Sequence, residues 1–214
     1  MAERETSRVS QQVNTSTGED SFAMPPESSD HRAGAGAPIS IAPQARSIPI
    51  LAESRADWPA VDELVAQAFG GRPNEVELVR GLRQGPAISR VALLDGRVVG
   101  HVMLSRVDLE GSKGGVLTLA PVSVLPAYQR RGVGSALVED ALARAEDAGE
   151  PLVVVLGEPG YYSRLGFEPA GAYGIVPPSG VPSPALQVKR LSRYEPSLRG
   201  RIVYPRVFRE TGTI

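Results

Sequence analysis

The run Gln129-Arg130-Arg131-Gly132-Val133-Gly134-Ser135 follows an apolar stretch and a turn marked by Pro126, and it opens a helix. At a helix start several backbone N–H groups have no intrahelical partner and the macrodipole is positive, so an anion placed there gains hydrogen bonds and a favourable field together. Gly132 and Gly134 have no Cβ, which lets the oxygens of a pyrophosphate come close to the main chain. Arg130 and Arg131 flank the loop and can pair with phosphates. Two familiar phosphate motifs do not fit. A dinucleotide fingerprint needs a third glycine where Leu137 stands, and a P-loop needs a Gly-Lys-Ser/Thr that neither Lys113 nor Lys189 supplies.

The remaining chemistry has few sources. The chain of 214 residues contains no cysteine, so a thiolate nucleophile, a disulfide framework and a cysteine zinc site are excluded, and no metal site is expected. The formal net charge of −1 provides no global field toward nucleic acid or an anionic membrane. No apolar run approaches membrane-spanning length, and Met1-Ala-Glu-Arg-Glu-Thr lacks the basic-then-apolar order of a signal peptide, so a cytoplasmic protein is expected.

The elements that must hold the motif are legible from periodicity. Residues 1–45 are rich in Ser, Gly, Pro, Ala and Gln and read as a disordered tail, leaving one domain over 46–214. Ile48, Ile50 and Leu51 suggest a first strand. Ser54 or Asp57 can cap a helix with Pro59 in its first turn and a stripe of Val61, Leu64, Val65, Ala68 and Phe69, ended by Gly70-Gly71. A second helix covers about 74–84. Residues 88–94 and 97–107 flank Asp95-Gly96 as a β-hairpin. Val116–Val124 is a strand interrupted by Pro121, which fits a bulge or edge. The motif helix carries Gly134, Leu137, Val138, Ala141, Leu142 and Ala145 on its inner side, and Leu152–Leu156 is apolar throughout, as in a strand buried on both faces. This order implies an α+β or mixed α/β arrangement.

The pattern Gln/Arg-x-x-Gly-x-Gly/Ala after Val124-Leu125-Pro126 resembles the acetyl-coenzyme A motif of the GCN5-related N-acetyltransferase (GNAT) superfamily. Downstream, Tyr162-Ser163-Arg164-Leu165-Gly166-Phe167 resembles that family's Tyr-x-x-x-Gly-Phe element, and flanking segments such as Gly100-His101-Val102 and Gly157-Glu158-Pro159 are similar to its YhbS-like branch. The resemblance implies the acyl-CoA N-acyltransferase fold: a central, mostly antiparallel sheet with splayed middle strands, flanked by helices. The splay would separate Val116–Val124 from Leu152–Leu156, with acetyl-CoA as co-substrate between them. Transfer to a primary amine would then proceed by direct attack in a ternary complex.

On that resemblance the coenzyme contacts are Val122, Ser123, Val124, Gln129, Arg130, Arg131, Gly132, Val133, Gly134 and Ser135, with Val122 to Val124 offering backbone N–H groups to the oxyanion. Tyr162 would be the general acid, since a phenol with a pKa of about 10 remains protonated where a thiol of about 8.5 ionises. Tyr161, one position earlier, should point elsewhere. The two strands carry no carboxylate or histidine, which leaves Glu158, just past the second strand, and His101 as candidate bases. A packing role for His101 and a capping role for Glu158 are the plainer readings. The segment from Lys189 onward is locally basic and lacks the stacking aromatics of a single-strand binder, so a solvated face is expected and nucleic acid is not an expected partner. The rival to the enzyme reading is a non-catalytic acyl-CoA-binding module.

Overall fold

The computed structural model describes residues 48–112 and 114–214. The tail expected over residues 1–45 lies outside them. In chain order the elements are β1 (Ile50–Ala52), α1 (Trp58–Ala68), α2 (Asn74–Leu82), β2 (Ala87–Leu94), β3 (Arg97–Leu109), β4 (Val116–Val124), α3 (Val133–Asp147), β5 (Leu152–Leu156), α4 (Pro159–Tyr162), β6 (Glu168–Pro169), β7 (Ile175–Val176), β8 (Leu186–Arg190), β9 (Gly200–Val203) and α5 (Arg206–Glu210).

The start of α1 follows from local chemistry. Asp57 accepts from the Ser54 N–H (2.8 Å) and Ser54 hydroxyl (2.7 Å), and its own N–H donates to the Ser54 carbonyl (3.0 Å), closing the turn that precedes the helix. Between β2 and β3, Asp95 and Gly96 both sit at positive φ, as a two-residue hairpin turn requires. Pairing then runs β1-β2-β3-β4-β5-β8-β6, antiparallel except where β4 meets β5. The bulge expected at Pro121 is present: Val102 faces Val122 and Leu104 faces Leu119, so Met103 stands opposite both Ala120 and Pro121.

Two helical layers cover the sheet. A Cβ on Gly100 would meet Leu137 and Val133 of α3 at 2.8 and 3.1 Å, so this side of β3 is the α3 face. Alternation turns His101 to the opposite face, where α1 packs on β3 and β4. Every residue of β5 is buried, and each such aliphatic side chain contributes about 1.5–3 kcal/mol relative to exposure. Arg90 of β2 bonds Asp140 of α3 at 2.5 Å, tying the motif helix to the sheet.

The last elements close the far side. β9 pairs with the end of β3, Asp108 opposite Val203 and Leu109 opposite Ile202, while β7 lies parallel to β9. Phe208 of α5 is fully buried against Tyr204, and Asn74 at the start of α2 donates to the Thr211 carbonyl at 2.7 Å. Much of the basic C-terminal segment is used within the fold. Arg190 lies over the rings of Tyr173 and Tyr194 and bonds Glu168, Arg201 donates to the Pro177 carbonyl, and Arg206 pairs with Glu210.

Candidate active site

β4 and β5 pair only at Leu117 with Val153 and Thr118 with Val154. Beyond this point β5 continues its ladder with β8 as far as Leu156, and β4 its ladder with β3 as far as Val124, so the two central strands part company. The hydrogen-bond parity of the open edge follows from one bond. Leu125 N–H donates to the Val99 carbonyl (3.0 Å), so the pair Gly100/Val124 is of the non-bonded kind and His101/Ser123 is a bonded pair. The N–H and C=O groups of Val122 and Val124 therefore face away from β3, toward the gap. Those of Ser123 are committed to β3, and its side chain is buried on the α1 face. Of the three residues expected to offer backbone donors, Val122 and Val124 have the required orientation and Ser123 does not.

Gln129 returns to this edge, its amide Nε2 donating to the Val124 carbonyl at 3.1 Å. That bond fastens the glycine loop to the strand. Arg130 has φ 56° and Gly132 φ 82°, both left-handed. A Cβ on Gly132 would touch nothing within 4 Å, so the glycine is demanded here by the backbone twist and not by crowding from the protein. The left-handed Gly132 followed by right-handed helix turns successive N–H groups inward, as in an anion-binding nest. The first bond of α3 runs from Ala136 N–H to the Gly132 carbonyl (3.0 Å), which leaves the N–H groups of Val133, Gly134 and Ser135 without intrahelical acceptors. Arg130 and Arg131 are exposed beside them, and Arg131 stacks on Tyr128 at 5.8 Å from the ring centre.

On the other side of the gap, the spacing of Tyr162 and Gly166-Phe167 has a mechanical origin. Gly166 is left-handed at φ 78°, its N–H donates to the Ser163 carbonyl (3.0 Å), and Phe167 N–H donates to the Tyr162 carbonyl (3.1 Å). These are the two bonds of a Schellman closure, with Tyr162 and Phe167 at the positions whose side chains meet; their ring centres are 5.4 Å apart. The closure turns the Tyr162 ring onto Gly157, the residue that follows β5, where a Cβ would collide with the ring. Tyr162 thus stands at the end of β5 beside the opened strands. Burial, with Tyr161 adding to it, pushes its phenol pKa well above the ordinary value, so the hydroxyl keeps its proton.

The two candidate bases fare differently. His101 is fully buried. Ser89 donates its hydroxyl proton to Glu53 (2.6 Å), so its oxygen accepts from His101 Nε2–H (2.9 Å), and the ring is neutral with an unpartnered lone pair on Nδ1. Burial holds its pKa down to about 3, reinforced by the Arg83 charge and opposed by Asp62. An enclosed imidazole so weakly basic corrects the expectation that it could take a proton from an amine; it belongs to the polar cluster of Glu53, Ser89 and the Glu53–Arg83 ion pair (2.6 Å) under α1. Glu158 is exposed and caps α4, accepting from Gly160 N–H at 3.3 Å. Among the described residues there is no cluster of three or more His, Asp or Glu groups able to hold a metal ion, and no helix is long and apolar enough to cross a membrane.

Sequence reasoning gave Tyr161 no role in the site. Its ring stands at 86° to that of Tyr162, and its hydroxyl reaches α3, 3.4 Å from Ser135 Oγ. The placement of α4 beside the start of α3 brings it there, which no motif spacing reports.

Comparison with known proteins fits this geometry. A family model for the acetyltransferase (GNAT) domain matches residues 52–170. The uncharacterized N-acetyltransferase YjhQ of Escherichia coli K12 is 36% identical over 135 residues, covering 60% of this chain and 74% of YjhQ. The uncharacterized N-acetyltransferase YhbS of the same strain is 34% identical over 146 residues, 67% of this chain and 87% of YhbS. The crystal structure of E. coli YhbS in complex with CoA superposes with a TM-score of 0.70 at 31% identity, covering 76% of this chain and 92% of that one. A GNAT family acetyltransferase from Brucella melitensis in complex with acetyl-CoA gives a TM-score of 0.63 at 32% identity, over 75% of this chain and 97% of that one. With more than half its length matched by the domain and its fold shared with coenzyme-bound relatives, the chain belongs to the GNAT acetyltransferase family.

Proposed function

We propose that the protein transfers the acetyl group of acetyl-CoA to a primary amine, by direct attack in a ternary complex within a domain spanning residues 46–214. One observation carries this reading: the unpaired N–H groups at the start of α3 adjoin a stretch of β4 whose cleft-facing N–H groups at Val122 and Val124 have lost a β5 partner. The first set suits a diphosphate and the second an oxyanion, and the pantetheine arm of one coenzyme reaches from one to the other. Arg130, Arg131, Gly132, Val133, Gly134 and Ser135 bind the diphosphate through main chain and charge, and Gln129 holds their loop in shape. As sulfur departs, Tyr162 donates its proton to the thiolate. Backbone donors aimed at the oxyanion are commonly worth about 3 kcal/mol each, because they need no reorganisation. Glu158 is the remaining candidate to deprotonate the amine, directly or through water.

A second reading, an acyl-CoA-binding module without turnover, is favoured by the absence of any carboxylate or histidine on β4 and β5 and by the enclosure of His101. Calorimetric titration tests what the two readings share. The protein is expected to bind acetyl-CoA, and Gly134→Glu to abolish binding through bulk and like-charge repulsion with the fold retained. Equal affinity in a folded variant would sink the coenzyme site. Thiol release across a panel of amines then separates enzyme from binding module.

A further inference from the structure

Tyr161 lies half-buried on α4, and its hydroxyl hangs over the first turn of α3. A Cβ on Gly134 would stand 3.1 Å from that hydroxyl, and Ser135 Oγ lies 3.4 Å from it. Arg164, exposed on the same side, places its guanidinium 5.7 Å from the centre of the Tyr161 ring. The hydroxyl is thus brought by one helix to the helix start of another, next to N–H groups that have no partner in α3. The hydrogen bond it makes among the described residues, to Ser135 Oγ at 3.4 Å, is near the upper limit for two hydroxyls, where attraction is weak. A phenol so placed can exchange that contact for an anionic oxygen, and hydrogen bonds to charged acceptors are roughly twice as strong as neutral ones.

We infer that Tyr161 is a diphosphate-binding residue, donating its hydroxyl to the coenzyme from the side of the cleft opposite the glycine loop; this rests on the coenzyme reading given above. Arg164, stacked on the ring, holds it in place and adds positive charge. The inference also gives Gly134 a role separate from that of Gly132. Gly132 supplies a left-handed backbone, whereas Gly134 is helical and its missing Cβ leaves room for the Tyr161 hydroxyl.

The test is calorimetric titration of the full chain and of Tyr161→Phe with two ligands: acetyl-CoA, and adenosine 3′-phosphate 5′-diphosphate, which keeps the diphosphate and lacks the pantetheine arm. Phenylalanine keeps the ring and the Arg164 stack, so an unchanged melting temperature is expected. Loss of one bond to a charged acceptor weakens binding by about tenfold to a hundredfold, and both ligands should lose affinity by the same factor. Unchanged affinity for acetyl-CoA overturns the inference. So does a loss confined to acetyl-CoA, which would assign the hydroxyl to the arm. Failure of the wild-type protein to bind either ligand would instead refute the coenzyme reading, so the two failures are distinguishable.

Discussion

Residue by residue, the proposed site divides its work between main chain and side chains. The oxyanion is left to N–H groups, the diphosphate to N–H groups with arginine charge and the Tyr161 hydroxyl beside them, and one phenol, Tyr162, is assigned to the leaving group. Tyr162 is suited to that task because burial keeps it protonated. Its hydroxyl matters only as charge develops on sulfur, so Tyr162→Phe is expected to lower kcat by about 10²- to 10⁴-fold while coenzyme affinity stays nearly constant. Steady-state thiol release with a confirmed acceptor, paired with a coenzyme titration, checks this. Full turnover in the variant would return Tyr162 to a packing role. The helix start and its left-handed glycine were legible in the sequence because they form a local pattern. Which nearby side chains reach that helix start was not. Tyr161 and Tyr162 differ by one position and their rings meet edge to face, yet only the Tyr161 hydroxyl reaches α3, and His101, attractive by its ordinary pKa, is disqualified by burial that only tertiary structure creates.

At the level of elements, the readings that held rest on local signals: the Asp95-Gly96 turn, the Ser54/Asp57 cap, the Pro121 bulge and the apolar run of β5. What could not be read is the weave beyond Phe167. β7 and β9 are short, and β9 finds its partner at residues 108–109, far away in the chain, so no periodicity announces the pairing. The α2–α5 contact is equally non-local, and it reverses a familiar expectation. Alanine in place of glycine inside a helix ordinarily stabilises by about 1 kcal/mol. At Gly81, however, the new methyl would collide with the side chain of Val207 on α5. Overpacking of this kind costs about 1–3 kcal/mol, so Gly81→Ala is expected to lower the midpoint of chemical denaturation. In a Val207→Ala background the same change should be neutral or stabilising. A stabilised single variant would show that α5 yields easily.

For the molecule as a whole, the buried imidazole makes stability depend on pH. In the unfolded chain His101 titrates near about 6.5, whereas in the fold it remains neutral down to about 3. Below about pH 6.5 the unfolded state therefore binds the extra proton, and stability present above that pH falls as acid is added, by up to about 1.4 kcal/mol per pH unit. Asp57, lowered by its hydrogen bonds from Ser54, and Glu168, lowered chiefly by Tyr173 and then Arg190, act in the same direction but only in the carboxylate range. Urea unfolding between pH 7 and 5 should show the decline, and His101→Gln should flatten it; an equal slope in the variant would place the acid sensitivity elsewhere. The pairing of β9 with β3 has a consequence for synthesis. A ribosome delivers β3 long before β9, and at about 5–20 residues per second the end of β3 waits on the order of ten seconds for its partner. During that interval the nascent chain displays an unsatisfied strand edge at residues 108–109, so protection from misassembly depends on whatever shelters the chain at the exit tunnel.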